Sequence, residues 1–591
     1  MSTLKEVLAS FDNPERKQFY YFEVSGEISQ LPSDVVNSPE AQAELLAMEF
    51  VDNAGEKYWK TFLGPQSTWV RKDNGEEVLR PDRSFIKPEH IEYWKKRSNE
   101  TNNPLMRMRY KGLVYDFNKY VTGIEPGFSD VKLPFLEAII QVVEDEYIVH
   151  EIEGYFLIDT ALQLASRWKK DSLFEKAQDV LWNHDHKYGK DESPGLWGRH
   201  FEIMIKYLDR YGKYENELLK ENEERFDRVE QKALEENGKS DNYANILGAE
   251  ADVLCEYYHL KGDIDKIRNY LDRELLIIRK SFPRKGGMWG QSMLQMMQGK
   301  YRKYHLYKEA NKLYVEIQDL GEKALNDLKG HEFSVPIDNI QIQTYIEDFL
   351  SGSPHEVFIK YLVRNIPNME IERQRQTEEA EQSPLLDMIS TITYDANGSP
   401  VNNVGTGKNS ENQKLMFGMY RRMQISAIFL RLEVDKMIEQ GKLSLDIILE
   451  AFKDSPLIVE SQKGLFERGM RAYFESDYIV ACHLLIPQFE SSIRRLISLC
   501  GGEVLQPDKE PKDGNRYISL DGLLDCDVAQ EVLKEDIQTY YKNLFTDQNG
   551  WNLRNLTSHG LLQTDAFNST IADRIVHAFT LLSQLKFSKS V

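Results

Sequence analysis

The chain has 591 residues, of which 41% are hydrophobic, and it carries a formal net charge of −21. This length and apolar content predict a globular protein of several domains, each with a sizeable core. The strong negative charge argues against a broad basic surface for nucleic acid, so any contact with RNA would depend on a local cationic patch.

Cysteine spacing and hydropathy exclude further classes of protein. The four cysteines show no CxxC spacing, so we expect neither a zinc site nor a disulfide framework, and a reducing cytoplasmic location fits. The first residues lack a basic segment followed by an apolar one, which argues against a signal peptide. No window of about 18 apolar residues exists, so we expect no membrane contact.

Residues 1–128 are predicted to form a mostly helical N-terminal domain. A turn is expected at Asp73-Asn74-Gly75, because these residue types favour a tight reversal of the chain. Apolar periodicity indicates three helices, near 41–51, 91–98 and 104–120.

Residues 129–443 are predicted to form a helical array. Amphipathic helices alternate with polar breaks that recur roughly every 41–50 residues. Because one helix pair cannot bury its apolar stripe, we expect a TPR/HEAT-like stack of pairs; the alternative is a non-repetitive helical domain. An irregular loop at 388–412 interrupts the array, and its Asn397-Gly398 pair favours a short hairpin or a mobile loop. The breaks fall at Lys170-Asp171, Tyr211-Gly212, Lys261-Gly262 and Tyr304-His305.

The triplet His184-Asp185-His186 resembles a metal cluster in its residue types. It lies in a polar stretch with no further ligand nearby in sequence, so we interpret it as a solvated loop. The sequence therefore predicts no metal site, and it predicts no cofactor.

Residues 444–591 are predicted to form a compact helical bundle, with helices near 457–475, 477–500, 528–546 and 566–587. In the second of these helices, His483, Glu490 and Arg494 share a polar face that is suited to line a site. A second face, rotated by about 120°, is expected to lie in the core. This second face carries Leu485, Phe489, Ile493, Leu496 and Cys500.

The segment GWNLRNLTSHG near the C-terminus carries the strongest functional signal. Arg554 and Asn555 precede His559 by a few residues, which places a fixed cation and a titratable imidazole within about a turn and a half of helix. Such a pair can hold a ribose-phosphate and move its protons without a metal ion. Little else in the chain resembles catalytic chemistry.

The pattern RNxxxH at the end of a four-helix block resembles the HEPN superfamily, whose hallmark is Arg, a polar residue and a following His. HLLIPQFESSIRRLI, ISLDGLLD and FTDQNGWNLRNLTSHGLL are similar to one uncharacterised HEPN family. That family includes the endoplasmic reticulum membrane-associated RNA degradation protein of animals and many bacterial relatives. NPLMRMRYKGLVYDF, in the N-terminal domain, is similar to the bacterial members. Thr557-Ser558 stand where relatives often carry an apolar residue and Ala.

The resemblance implies a fold and a chemistry. The fold would be all-α, with a helical-repeat-like N-terminal and central region followed by a C-terminal HEPN four-helix bundle. The activity would be metal-independent endoribonuclease cleavage by 2′-hydroxyl attack. His559 would be the general acid or base, Arg554 would stabilise the phosphorane, and Asn555 would hold the phosphate or orient the imidazole.

The supporting residues each have a structural alternative. Glu490 and Arg494 would orient Arg554 or complete the wall of the cleft, but their spacing also suits an i,i+4 ion pair. His483 is either a component of the site or a histidine packed on the helix face.

HEPN domains usually dimerise, so the resemblance implies a homodimer through residues 444–591 in which two Arg–His pairs face one cleft. The expected substrate is RNA. The expected role is a regulated bacterial antiviral defence or stress effector, in which a protein or phage trigger engages the helical array. The alternative is a catalytically inactive HEPN dimerisation or scaffold protein.

Overall fold

The computed structural model describes residues 3–70, 77–193, 195–236, 242–330, 338–383, 385, 388–406, 410–507 and 514–586. Helices make up most of these residues, so the prediction of an all-α fold is confirmed. Within the described ranges, the strands form two-stranded antiparallel sheets. The turn predicted at Asp73-Asn74-Gly75 lies outside the described residues. Among the helices that the structure describes, none is both long and apolar enough to cross a lipid bilayer.

The helices of the first half of the chain are α1 Leu4–Phe11, α2 Tyr21–Ser29, α3 Ser33–Val36, α4 Pro39–Glu49, α5 Pro88–Glu100, α6 Pro104–Thr122, α7 Leu133–Glu144, α8 Glu151–Arg167, α9 Asp171–Tyr188, α10 Arg199–Lys206, α11 Glu215–Glu236, α12 Asn242–Lys261, α13 Ile264–Lys285 and α14 Gly287–Lys303. The strands here are β1 Val51–Asp52, β2 Leu63–Gly64, β3 Ser67–Val70 and β4 Glu77–Arg80.

The helices of the second half are α15 Tyr307–Asp319, α16 Gly321–Asp327, α17 Asn339–Leu350, α18 Pro354–Arg364, α19 Met369–Gln382, α20 Glu411–Glu439, α21 Leu445–Ala451, α22 Lys463–Phe474, α23 Tyr478–Leu499, α24 Leu520–Asp525, α25 Asp527–Phe545, α26 Leu553–Ser558 and α27 Ser569–Leu582. The strands here are β5 Thr391–Tyr394, β6 Pro400–Val404, β7 Leu505–Pro507 and β8 Asn515–Tyr517.

The chain divides into two compact units, one of residues 1–285 with 296–310 and the other of residues 286–295 with 311–591. In the first unit, neighbouring helices pack in sequence as α5 with α6, α8 with α9, and α12 with α13. The breaks predicted near 170, 211, 261 and 304 fall between helices. Gly262 occupies one break with a φ of +75°, a conformation that costs glycine little. The repeat-like stacking and the three-part domain division stay predictions.

The interpretation of His184-Asp185-His186 as a solvated loop is wrong. The triplet lies inside α9, and both His184 and Asp185 are buried. The Nε2 of His184 lies 2.8 Å from the carbonyl oxygen of Glu151, and Tyr155 donates a hydrogen bond of 2.8 Å to Asp185. Sequence alone does not indicate this burial, because the partners of these polar side chains lie on α8, about 30 residues earlier in the chain.

In the second unit, one continuous hydrophobic core runs from Phe349 to Leu582. The helix α27 lies at its centre, because every residue from Ile571 to Leu582 is buried. It packs against α18, α20 and α23. The bundle helices predicted from periodicity correspond to α22, α23, α25 and α27, although their observed ends differ from the predicted ones by up to six residues.

The loop predicted at 388–412 contains the hairpin of β5 and β6, the first of the two alternatives. Its tip is held inside the second unit. Gln291 donates a hydrogen bond of 2.7 Å to the carbonyl oxygen of Gly398. A Cβ at Gly321 would lie 2.1 Å from the carbonyl oxygen of Asn397, so the close approach requires glycine there.

Candidate functional site

The loop before the Arg–His segment is anchored to the end of α25. The N–H of Trp551 donates a hydrogen bond of 2.7 Å to the carbonyl oxygen of Asn543. A Cβ at Gly550 would lie 2.2 Å from the same oxygen, so only glycine permits this approach. The Oδ1 of Asp547 accepts a hydrogen bond of 2.8 Å from the N–H of Asn549, which closes the turn.

The segment itself forms the short helix α26, with a defined start and stop. Asn552 precedes it in the left-handed region, with a φ of +51°. At the other end Gly560 has a φ of +66°, and two backbone bonds close the helix there: Leu561 to Leu556 at 2.8 Å and Gly560 to Thr557 at 3.1 Å. This pattern is a Schellman motif, which explains why a glycine directly follows His559.

Arg554 lies in a hydrogen-bonded cluster between α26 and α23. Its Nε donates to Oε2 of Glu490 at 2.9 Å, and its Nη1 donates to Oδ1 of Asn555 at 3.1 Å. The other oxygen of Glu490 accepts from Nη2 of Arg494 at 2.7 Å. One carboxylate thus joins two guanidinium groups, and the cluster keeps an excess of one positive charge. The side chains are 16–27% exposed, so screening by solvent is only partial.

Asn555 connects the cluster to the start of its own helix. Its Nδ2 donates to Oδ1 of Asn552 at 2.8 Å, which leaves its Oδ1 for Arg554. In the part of the chain that the structure describes, Nη2 of Arg554 has no hydrogen-bond partner. The guanidinium is therefore held by two neighbouring side chains, and both N–H groups of Nη2 remain for a ligand.

His559 lies at the other end of α26 and is exposed to solvent. Its imidazole makes no hydrogen bond or ion pair with any residue in the described ranges. Five helical positions correspond to a rotation of about 140°, so the side chains of Arg554 and His559 leave α26 in different directions. The structure brings Arg554, Asn555, Glu490 and Arg494 together but leaves His559 outside their hydrogen-bond network.

His483 is also exposed and lies near the start of α23. Its Nδ1 is 2.8 Å from the carbonyl oxygen of Ile479, and its ring packs at 4.9 Å on Phe567. It lies on the same face as Glu490, about 10 Å further along the helix axis. No contact joins it to the Arg554 cluster within the described residues.

Tyr517 is a further neighbour of the cluster, and no motif in the sequence marks it. The guanidinium of Arg494 lies 5.1 Å from the centre of its ring, and Nη1 of Arg494 donates at 2.7 Å to the carbonyl oxygen of Ile518. The ring is nevertheless 68% exposed. The only signal for it in the sequence is an aromatic residue after a polar stretch, which is common in loops.

Potential metal ligands are not grouped here. Across the described ranges, no three residues of the types His, Cys, Asp and Glu are arranged to hold a metal ion. The groups available for chemistry at this site are guanidinium, amide, carboxylate and imidazole. Together these can bind an oxyanion and transfer a proton.

No protein-family model matches the chain, and no curated protein matches it.

Proposed function

We propose that the protein is an endoribonuclease of the HEPN type that cleaves RNA without a metal ion. The observation that carries the proposal is the arrangement on α26. A guanidinium held by Glu490 and Asn555 lies at one end of a six-residue helix, and a solvent-exposed imidazole lies at the other. The resemblance of the Arg–His segment to HEPN ribonucleases supports the same activity.

The reaction proceeds by attack of a ribose 2′-oxygen on the adjacent phosphorus. The bond between phosphorus and the 5′-oxygen breaks, giving a 2′,3′-cyclic phosphate and a 5′-hydroxyl. A base removes the proton of the 2′-hydroxyl, and an acid supplies a proton to the leaving oxygen. His559 performs one of these transfers, and Arg554 stabilises the negative charge on the phosphorane.

A homodimer through the C-terminal region supplies the second proton carrier. One chain offers a single exposed imidazole on α26, whereas the reaction has two proton transfers. In a symmetric dimer with facing α26 helices, the two His559 side chains divide the roles of base and acid. Arg554 is partly exposed, as expected for a residue of a cleft whose other wall comes from the second subunit.

Single-stranded RNA is the preferred substrate in this proposal. The exposed ring of Tyr517 lies against Arg494, which shares Glu490 with Arg554. A base stacked on Tyr517 would place its phosphates near these two arginines, and stacking of this kind contributes about 1–3 kcal/mol per base. Bases of a duplex are not free to stack in this way.

The second candidate function is an inactive HEPN scaffold. The ion pair of Arg554 with Glu490 favours it, because a guanidinium held in this way also stabilises the packing of α26 on α23. Under this alternative, the cluster holds the bundle together and His559 has no role.

Cleavage of a single-stranded RNA by the purified full-length protein in excess EDTA tests the proposal. We expect products with 5′-hydroxyl ends and no cleavage when a deoxynucleotide replaces the attacking ribose. His559→Ala and Arg554→Ala should each lower the rate by about 10²–10⁴. The exposed residues His355 and Arg471 lie elsewhere in the second unit, so His355→Ala and Arg471→Ala serve as controls.

Melting temperatures separate the two candidate functions. Truncation of the exposed His559 should change stability by no more than about 0.5 kcal/mol, as for other surface positions. If His559→Ala cleaves as fast as the unchanged protein, the nuclease proposal fails. If Arg554→Ala merely unfolds the protein and His559→Ala has no effect, the scaffold function takes its place.

We infer from the resemblance a role as a bacterial antiviral defence or stress effector. In this role the helical array holds the nuclease inactive until a protein or phage component engages it. Expression of the protein in phage-challenged bacteria should reduce phage yield, and expression of His559→Ala should not. Equal protection by both would argue against a role for cleavage in defence.

A further inference from the structure

A pocket of about 320 Å³ lies in the first unit, far along the chain from the Arg–His segment. The start of α2, the end of α4 with β1, and the first turns of α8 form its walls. Its volume is at the lower end of the range of roughly 300–1,000 Å³ in which small-molecule sites fall. Nothing in the proposed nuclease function uses it.

Aromatic rings supply much of the wall. Four of them are exposed or half-buried at the surface, and among these Phe22 and Phe156 are 65% and 48% exposed. Large apolar side chains left in water next to a cavity are typical of a site that a ligand covers. The aromatic lining residues are Phe19, Tyr20, Tyr21, Phe22, Phe50, Tyr147 and Phe156.

The charged lining residues are all acidic. Glu49, Asp52 and Glu153 line the pocket, and no Lys, Arg or His is among its lining residues. Asp52 is already compensated, because Arg109 behind the wall donates to it at 2.6 Å. Glu49 and Glu153 make no ion pair with a described residue, so two carboxylates remain without a cation.

Burial makes the charges of Asp52 and Glu153 costly. Desolvation is the main cause that raises the pKa of Glu153 above its ordinary value, and it has the same effect on Asp52. An arriving cation would offset this cost, whereas an anion would increase it. Arg109 already lies over the ring of Tyr21 and Lys17 over that of Tyr147. The other aromatic faces add to the preference, because their negative quadrupole attracts an ammonium group.

We propose that this pocket binds a small organic cation, with an aromatic or aliphatic body and one ammonium group. The body fills the aromatic part of the cavity, and the ammonium group lies near Glu49 and Glu153. This inference does not depend on the proposed nuclease activity, so its test needs no cleavage assay.

Calorimetric titration of the full-length protein with three indole compounds tests the proposal. Tryptamine carries an ammonium group, tryptophol is its neutral alcohol analogue, and indole-3-propionate carries a carboxylate. We expect tryptamine to bind at least ~10-fold more tightly than tryptophol, and indole-3-propionate to bind most weakly. Equal affinity for the three compounds, or no binding of tryptamine, would overturn the proposal.

Substitutions of lining residues test whether the ligand binds in this pocket, and they distinguish the effect of the carboxylates from that of the aromatic wall. The double variant Glu49→Gln and Glu153→Gln should remove the preference for tryptamine over tryptophol. Glu137→Gln is the matched control, because Glu137 is exposed on α7 and does not line the pocket. Phe156→Ala should weaken the binding of both compounds. A double variant that retains its fold by thermal denaturation and still prefers tryptamine would also overturn the proposal.

Discussion

Glu490 is the residue on which the arrangement of the candidate site depends, because its two oxygens contact two different arginines. We expect Glu490→Gln to lower the rate of RNA cleavage by about 10–100-fold. A glutamine has only one oxygen, so its NH₂ group would face one of the two guanidinium groups and that hydrogen bond would be lost. Steady-state kinetics should show the loss in kcat with little change in KM. A melting temperature lowered by a few degrees would accompany it. Unchanged kcat would show that Arg554 needs no such support.

The buried His577 on α27 gives a prediction about pH. Its Nε2 lies 3.0 Å from the carbonyl oxygen of Leu362, so it carries the proton, and its Nδ1 accepts from the hydroxyl of Tyr540 at 3.0 Å. Burial, with a smaller effect of Arg574, lowers the pKa of His577 from 6.5 to about 3. Between about pH 3 and pH 6.5 the folded protein therefore keeps this imidazole neutral, whereas the same side chain binds a proton in the unfolded chain.

Because the pKa of His577 is lower in the folded state, protonation of the unfolded chain lowers the free energy of unfolding at acid pH. The contribution of His577 to stability is complete above about pH 6.5 and is lost as the pH falls toward 3. Between about pH 7.5 and pH 5 the loss from His577 alone is about 2 kcal/mol. Calorimetry at both pH values should show that the melting temperature of His577→Gln falls less than that of the unchanged protein. An equal fall in both proteins would assign the acid sensitivity to other groups.

At the scale of elements, the stop of α26 depends on the backbone of Gly560. No atom lies within 4 Å of an added Cβ there, so a substitution acts only through the φ of +66°. Gly560→Ala should cost about 1 kcal/mol and displace His559, whereas Gly560→Asn should be nearly neutral because Asn tolerates this conformation. Cleavage rates and melting temperatures of the two variants check this. Similar behaviour of both would show that the helix stop does not position the imidazole.

The strand β8 presents Tyr517 beside the arginine cluster. Tyr517→Ala should weaken the binding of single-stranded RNA by about 1–3 kcal/mol per stacked base, whereas Tyr517→Trp should keep the affinity. Fluorescence anisotropy with a labelled RNA and the His559→Ala protein measures this without cleavage. If Tyr517→Ala binds as well as the parent, the RNA does not stack on this strand.

Helical periodicity predicted much of α23 but not its contacts. Leu485, Phe489, Ile493 and Leu496 lie in the core as expected. Cys500 is exposed, so its prediction as a core residue is wrong. The reason is that α23 ends at Leu499, so Cys500 does not continue the buried face of the helix. The bond from Arg554 to Glu490 joins positions 64 residues apart, which no periodicity within one helix can indicate.

At the scale of the molecule, the proposed dimer predicts that His559→Ala acts across subunits. Mixed dimers of one unchanged subunit and one His559→Ala subunit, co-expressed with different tags and purified through both, hold one His559 where the two proton transfers need two. We expect these mixed dimers to cleave RNA about 10²–10⁴-fold more slowly than the unchanged dimer. Mixed dimers that keep half or more of the unchanged rate, or a monomer in sedimentation, would contradict the shared cleft.

The sequence predicted the helical class but not how the core of the second unit is assembled. Apolar periodicity finds each helix, whereas the core joins helices from Phe349 to Leu582 around α27. The buried polar residues of α27 illustrate the limit. Arg574 is 1% exposed and donates to the carbonyl oxygens of Asn365 and Met423, partners that lie about 150–210 residues away in the chain.

The anchor of Trp551 on Asn543 has a consequence for insertions and deletions. A residue inserted before Gly550 would lengthen a surface turn and leave the anchor intact. A residue inserted between Trp551 and Leu553 would rotate α26 by about 100° and turn a different side chain toward Glu490. The orientation of α26 therefore depends on the number of residues between Trp551 and Leu553. Natural variants should tolerate changes of loop length only on the N-terminal side of Trp551.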